Sequence, residues 1–293
     1  MKMVFSYDYI LKDAVFISDI IKQALKEDIG KGDITTNAII PKSAFIKAEI
    51  IAKDSGIIAG LGIAEQVFKE LDKNIVFIKK LKDGGKAKEF QVIAEIEGNA
   101  RAILAAERVA LNFLQRLSGI ATLTAKFVKL AGTKSRKQRG IKILDTRKTT
   151  PLMRELEKYA VRAGGGKNHR FGLYDAILIK DNHIEAAGSI TEAVKKAKQA
   201  GKSIEVEVKN IKEVREALNA GVDRLLLDNM DIKNIKESVR LAKGKVKLEV
   251  SGGVNLNTIK SIAKTSVDFI SIGALTHSAK ALDISLDVIK VIK

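Results

Sequence analysis

Residues 141–151 read Ile141-Lys142-Ile143-Leu144-Asp145-Thr146-Arg147-Lys148-Thr149-Thr150-Pro151, and residues 176–183 read Ala176-Ile177-Leu178-Ile179-Lys180-Asp181-Asn182-His183. Each stretch begins as a short apolar run, Ile141–Leu144 or Ala176–Ile179, and ends on charged side chains. Short β-rich runs bounded by polar turns are the pattern of buried strands. Between them lie Arg162, the run Gly164-Gly165-Gly166-Lys167, and Asn168-His169-Arg170. Arg147, Lys148, Arg162, Lys167, His169, Arg170 and Lys180 thus crowd into one segment carried by two core strands, which a solvated basic face would not require. Guanidinium groups offer a planar fork to carboxylate or phosphate, and ammonium groups offer a point charge. Consecutive glycines let backbone N–H groups turn toward an anion. The segment therefore predicts a site for a small, densely anionic ligand; for any one of these residues alone, a surface loop with ordinary salt bridges would serve as well.

The same pattern continues downstream. Ile204–Val208, Arg224–Leu227, Val246–Val250 and Phe269–Ile272 are further β-rich runs with helical segments between them. From Glu207 to Asp228, Ser251 and Gly273 the chain steps by 21, 23 and 22 residues, about one β/α unit each. Every run ends on chemistry: Asp145 to Lys148, Lys180 to His183, Glu207 to Lys209, Asp228-Asn229, Ser251-Gly252-Gly253 and Gly273. In a parallel β/α barrel the carboxyl ends of the strands converge on one face, where active sites are built. Six strands are visible, with a possible extension near Arg139 to Lys142, so the barrel is expected to be open and incomplete.

Upstream, residues 12–27 have the spacing of an amphipathic helix. Phe45–Ala52 alternates as a strand, with Phe45, Ala48, Ile50 and Ala52 set against Lys47 and Glu49. Ile63–Leu71 has helical spacing, while Ile75–Leu81 and Gln91–Glu97 look like strands parted by a turn at Asp83-Gly84-Gly85. Strands and helices mixed without strict alternation predict an α+β domain. Arg101–Gly119 follows as a long helix with a broad apolar stripe, suited to bridging two domains or two subunits. Arg108 lies inside it; a half-buried arginine ordinarily has an anionic partner, and the adjacent Glu107 is the simplest one.

Composition excludes several function classes. Zero cysteines remove disulfides, thiolate zinc sites and cysteine nucleophiles, and three histidines make a histidine-rich metal site improbable. No apolar run approaches membrane-spanning length and the N-terminus lacks a secretory pattern, so a cytoplasmic protein with no membrane partner is expected. The net charge of +17 suits either a nucleic-acid binder or an enzyme for acidic substrates. Its lysines are spread along the whole chain and only 5% of residues are aromatic, so no basic tract interleaved with stacking rings exists and no nucleic-acid partner is expected.

The strand ends narrow the enzyme reading. Glu207 and Asp228 suit Mg²⁺ held partly through water, or contacts to ribose hydroxyls. Ser251-Gly252-Gly253 and Gly273, each expected to precede a helix, suit a phosphate cradled by N–H groups. Together with the cations they suggest a phosphorylated sugar and an acidic co-substrate. Gly201-Lys202-Ser203 resembles the end of a P-loop, but Lys196 stands where that motif needs glycine, and no Gly-x-Gly-x-x-Gly follows a strand. Lys180 could form a Schiff base, as aldolases do, although such a lysine wants an apolar pocket and Asp181 is its neighbour.

These residues carry a resemblance. Asp28-Ile29-Gly30-Lys31-Gly32-Asp33-Ile34-Thr35-Thr36, Leu111 to Gly119, Asp145 to Pro151, Gly164 to Arg170, Ile179 to His183, Leu227-Asp228-Asn229, Glu249 to Gly253 and Ala274-Leu275-Thr276-His277 resemble quinolinate phosphoribosyltransferase, the carboxylating nicotinate-nucleotide pyrophosphorylase, over nearly the whole chain. The family often has glycine soon after the proline of Arg-Lys-Thr-Thr-Pro, where this chain has Leu152-Met153. Related proteins of molybdenum-transport operons share the scaffold; Asn168-His169-Arg170 and Lys180 to His183 favour the quinolinate enzyme.

The resemblance implies transfer of phosphoribose from phosphoribosyl pyrophosphate (PRPP) to quinolinate with decarboxylation, giving nicotinate mononucleotide, carbon dioxide and pyrophosphate in NAD biosynthesis, with Mg²⁺. By matching motifs it implies that Arg147, His169, Arg170 and Lys180, with Arg108 from a neighbouring subunit of a homodimer or larger oligomer, bind quinolinate. It assigns Lys148, Glu207, Asp228, Ser251, Gly252, Gly253 and Gly273 to the donor, and Lys148, Lys180, Glu207 and Asp228 to catalysis. The implied fold is an N-terminal α+β, sandwich-like domain with its interface helix (residues 1–118), an open, about seven-stranded β/α barrel (119–277), and a C-terminal helix (278–293) packing back on the first domain.

Overall fold

The computed structural model describes residues 14–132 and 140–292. The chain divides into two compact units, one of Met1–Leu123, Thr150–Gly164 and Ala279–Lys293, the other of Thr124–Thr149 and Gly165–Ser278.

In the first unit, β1 (Phe45–Ala52), β3 (Val76–Lys79), β5 (Gln91–Asn99) and β12 (Ile284–Ile292) form an antiparallel sheet in the order β12-β1-β5-β3, and β2 (Gly56–Ile57) pairs with β4 (Lys86–Ala87). The face of β1 that is buried carries Ile46, Ala48, Ile50 and Ala52. Phe45 is of the opposite parity and half exposed, so Ile46 holds the core position expected of it. The N-terminal helix, Ala14–Ile29, buries Ile17, Ile21 and Leu25 at four-residue spacing, and Asp33 caps the next helix by accepting from the Thr36 N–H at 2.9 Å.

The chain's last segment departs from the expected helix. Ile284–Ile292 is the strand β12, paired along the whole of β1 from Ala52↔Ile284 to Phe45↔Ile292. Its β-branched Ile284, Val288, Ile289, Val291 and Ile292 favour a pleated conformation over a helix.

The long helix runs from Ala100 to Leu130, past the end expected at Gly119, and the two units part inside it. Gly119 does not interrupt it. A Cβ there would lie 2.1 Å from the Lys280 carbonyl oxygen, so this glycine lets the 280–281 backbone press against the helix. Residues 150–164, expected in the barrel, belong to the first unit instead. Their helix, Arg154–Ala163, is tied there by Tyr159 donating to Asp83 and by the fully buried Glu157 accepting from Arg116 at 2.8 Å and from the Thr150 N–H and hydroxyl at 3.1 and 2.8 Å.

The second unit is a parallel sheet of six strands, β6 (Lys142–Leu144), β7 (Ile177–Ile179), β8 (Ile204–Val208), β9 (Arg224–Asp228), β10 (Lys247–Ser251) and β11 (Phe269–Ser271), in the order β6-β11-β10-β9-β8-β7. It is open: β6 and β7 end the sheet. A parallel bridge from Leu144 to Lys167 lies on the free side of β6. Of the extension considered near Arg139, that residue lies outside those described. Ser189, Asn210 and Asp231 start successive crossover helices, each side chain accepting an N–H three residues on. Among the described residues, no helix is long and apolar enough to cross a membrane.

Candidate active site

Parallel register fixes which side chains meet. Leu178, Glu205, Arg224 and Lys247 are row partners across β7, β8, β9 and β10; Glu207, Leu226, Glu249, Phe269 and Lys142 form the next row, and Asp228 with Ser251 a third. Each row lies two residues above the last, so all three project from one face of the sheet. Over that face, at the carboxyl ends of the strands, lies a cavity of about 770 Å³. Eleven of the twelve site residues expected from sequence line it: Arg147, Lys148, His169, Arg170, Lys180, Glu207, Asp228, Ser251, Gly252, Gly253 and Gly273.

Arg147 and Lys148 come from the loop after β6, His169 and Arg170 from the segment leading into β7, and Lys180 from the end of β7. Asp145, fully buried, accepts from the His169 N–H at 2.9 Å and from the Asn168 carboxamide, and so pins the loop that carries His169 and Arg170. Arg170 donates to the Ala176 carbonyl at 2.9 Å. Burial, and after it the neighbouring Arg147 guanidinium, push the Arg170 pKa down. Two guanidinium groups brought together in this way are relieved by an anion lying between them. Lys180 donates to Glu207 at 2.9 Å. The rest of its motif serves the backbone: the His183 Nδ1 accepts from the Lys180 N–H at 2.9 Å at the start of the helix Asp181–Ala187, while Asp181 pairs with Lys209 at 2.9 Å.

The opposite wall is small and turn-rich. Gly252 has φ +87°, and a Cβ there would fall 2.2 Å from the Asn229 Oδ1. Asn229 is held in turn, its N–H donating to the Ser251 carbonyl at 2.9 Å and its carboxamide to Asp228 at 3.0 Å. A helix was expected directly after each glycine turn; one follows Gly273 at once, but after Ser251-Gly252-Gly253 the expectation needs correction. Asn255 Oδ1 accepts from the Asn257 and Thr258 N–H groups, making an Asx turn, and the helix begins only at Ile259; after Gly273 there is a single turn, Ala274–His277. Any phosphate here meets turn backbone more than a helix dipole. Lys148 is fixed across from Gly273 by the Thr276 hydroxyl donating to its carbonyl at 2.7 Å.

Arg108 belongs to the first unit. Its side chain is 58% exposed and its guanidinium lies 3.9 Å from Glu107, a weak contact for a salt bridge. Sequence reasoning passed over the cavity floor. The His169 Nε2 lies 3.2 Å from Glu205 and 3.4 Å from Glu249, and Arg224 bridges the same two carboxylates at 3.8 and 3.1 Å. The signal was present, since Glu205 and Glu249 stand two residues before the strand-end positions 207 and 251 and must share their face. Burial first, and then the Glu205 charge, push the Glu249 carboxyl up to about 7. At His169 burial opposes the charged ring, but the hydrogen bond to Glu205 and the charges of both carboxylates outweigh it and raise its pKa.

Comparison with known proteins agrees with this geometry. The family model described as quinolinate phosphoribosyl transferase, N-terminal domain, matches residues 33–118, and that for the C-terminal domain matches residues 120–287. The chain is 50% identical over 265 residues to a Bacillus subtilis protein named "Probable nicotinate-nucleotide pyrophosphorylase (carboxylating)", covering 89% of this chain and 90% of that one. It is 43% identical to the mitochondrial quinolinate phosphoribosyltransferase (decarboxylating) 2b of Nicotiana tabacum, covering 93% and 82%. The solved nicotinate-nucleotide pyrophosphorylase of Francisella tularensis superposes with a TM-score of 0.89 at 46% identity, covering 94% of this chain and 96% of that one. Two adjoining family models spanning both units, and relatives this similar over nearly their full lengths, establish that the chain belongs to the quinolinate phosphoribosyl transferase family.

Proposed function

We propose that this protein transfers phosphoribose from PRPP to quinolinate and releases carbon dioxide, forming nicotinate mononucleotide for NAD biosynthesis. One observation carries the proposal: paired guanidiniums, an ammonium–carboxylate pair and glycine turns face one another across a single cavity, as an acidic ring and a phosphorylated sugar require together. Arg147 and Arg170 hold the two ring carboxylates, with Lys180 turning from Glu207 to the substrate. Ser251, Gly252, Gly253 and Gly273 hold the sugar phosphate, and Lys148 faces the departing pyrophosphate. As that group leaves, positive charge grows at the anomeric carbon, where Glu207 and Asp228 lower its energy. The ring nitrogen bonds to the anomeric carbon as the bond to pyrophosphate breaks; the cationic nitrogen then stabilises the electron pair that carbon dioxide leaves on the adjacent ring carbon, and a proton from solvent water completes the C–H bond there.

The donor set at this mouth fits Mg²⁺, because Glu207 and Asp228 offer hard oxygen atoms and no soft ligand stands beside them. Glu207 gives one oxygen to Lys180, so these carboxylates would hold the ion chiefly through water and donor phosphates. When bound, Mg²⁺ would neutralise pyrophosphate charge. The protein acts as a homodimer or an assembly of dimers in this proposal, with the exposed Arg108 completing the partner's site, and its reaction is placed in the cytoplasm.

The test is turnover of quinolinate against nicotinate with PRPP and Mg²⁺, following nicotinate mononucleotide and carbon dioxide by mass spectrometry. Quinolinate should be consumed with one carbon dioxide per nucleotide; preference for nicotinate would overturn the proposal. The Schiff-base alternative loses ground because the Lys180 ammonium is engaged by Glu207, and borohydride trapping of Lys180 on a carbonyl substrate would restore it.

A further inference from the structure

Beneath His169 the floor of the cavity contains buried charges, Glu205, Glu249 and Arg224, to which the proposed transfer assigns no step. Glu205 and Glu249 are 7% and 0% exposed. Arg224 touches both, its guanidinium stacked 4.3 Å above the Phe269 ring, and His169 closes the cluster from the cavity side. The His169 Nδ1 accepts from the Arg170 N–H at 2.7 Å. A neutral His169 ring therefore carries its proton on Nε2, toward the carboxylates.

Charge counting gives the consequence. Two carboxylates against one guanidinium leave one negative charge in a buried place, directly beneath a cavity built for anions. Such a charge is costly away from water, and the cheapest remedy is a proton. A metal ion is a poorer remedy, because it would set a second cation beside the Arg224 guanidinium, which already lies 3.8 and 3.1 Å from the two carboxylates.

We propose that binding of the acidic substrate is coupled to uptake of one proton by the His169–Glu249 pair, the proton resting on the Glu249 carboxylate because the His169 Nε2 already carries one and its Nδ1 accepts from the Arg170 N–H, with Glu249 as a positioning residue that acts through His169. This rests on the function proposed above, in which the substrate is a dianion. Negative charge arriving over His169 stabilises the protonated pair, and the proton in turn removes the repulsion between floor and ligand. The direction of the Glu249 shift, to about 7, puts the unliganded pair mostly unloaded at pH 8 and mostly loaded at pH 6. The other groups facing the pair are Glu205 from β8, Arg224 from β9, Ser271 from β11 and Arg170 from its own loop, with Asp145 holding the His169 backbone. None of them changes this sign. His277 lines the same cavity with its Nδ1 2.7 Å from the Ser278 hydroxyl, and serves as the control position in the experiment below.

The experiment is calorimetric titration of the whole protein with quinolinate at pH 8, in buffers of low and high ionisation enthalpy; the slope of heat against buffer enthalpy counts protons. Wild type should take up about one proton per quinolinate, and less than about half of one at pH 6. Glu249→Gln should bind quinolinate with a slope near zero, and Glu249→Asp should restore uptake; circular dichroism checks that both are folded. A wild-type slope of zero at pH 8 overturns the inference even if neither variant folds. A slope that survives in Glu249→Gln and vanishes in His277→Gln also overturns it, moving the proton to His277. Failure of wild type to bind quinolinate at all is a different result, and defeats the function proposal itself.

Discussion

Gly252→Ala tests the small wall of the site. With φ at +87°, any side chain at this position pays about 1–2 kcal/mol in backbone strain. The new methyl would also fall 2.2 Å from the Asn229 Oδ1, more than an ångström inside contact, so the carboxamide must swing away. That movement breaks its 3.0 Å hydrogen bond to Asp228; bonds to charged groups are worth about 1.5–3 kcal/mol, and exposure of this one puts it at the lower end. The sum is a loss of about 2–4 kcal/mol in urea unfolding, accompanied by a higher KM for PRPP with the KM for quinolinate little changed. Gly253→Ala is the internal control. Its φ is +61°, but the nearest atom to its added carbon is 3.9 Å away, so it should lose only the strain. Equal losses from the two variants, or an unchanged KM for PRPP in Gly252→Ala, would refute the role given to this approach.

Three further outcomes are expected. Glu157→Gln should cost about 3–5 kcal/mol in chemical unfolding, because it leaves the half-buried Arg116 facing a neutral partner and weakens the bonds from Thr150. Between pH 4.5 and about 7 the native Glu249 holds its proton more firmly than the unfolded chain does, so stability falls as pH rises through that window; His169, also raised, extends the fall upward from 6.5, and unfolding of Glu249→Gln followed against pH should be flatter. Arg108→Ala and Lys180→Ala proteins, each inactive alone, should regain about a quarter of wild-type activity when refolded together in equal amounts, since half the dimers are mixed and each has one intact site. No recovery in a mixture shown by mass spectrometry to contain mixed dimers would remove Arg108 from the partner's site.

Strand ends were the most legible part of the chain, because a parallel barrel ties chemistry to position: a polar residue just after an apolar β run has one place to go. That is why Lys180, Glu207, Asp228 and Ser251 stand out in the sequence itself, and why they share one cavity. Charges inside the runs were less legible. Glu205, Arg224 and Glu249 read as breaks in hydrophobicity, and only the register between strands, which no local pattern encodes, shows that they meet one another. The C-terminal strand was missed for a related reason, since β12 exists through pairing with β1, more than two hundred residues away in the chain. Leu152 shows the reverse case. Its φ of +64° is a conformation that glycine adopts freely, at the place where the family pattern often has glycine, so the turn persists although its usual residue is absent.

The central claim is that two substrates, one a dicarboxylate and the other a phosphorylated sugar, meet over a single set of strand ends. Its most direct test is a crystal structure of the protein with quinolinate and a non-reactive PRPP analogue. The account predicts ring carboxylates within hydrogen-bonding distance of Arg147 and Arg170, the sugar phosphate against Ser251 to Gly253 and Gly273, and the ring nitrogen facing the anomeric carbon. Quinolinate lying outside this cavity, or a sugar phosphate held by the arginines in place of the glycine turns, would contradict it.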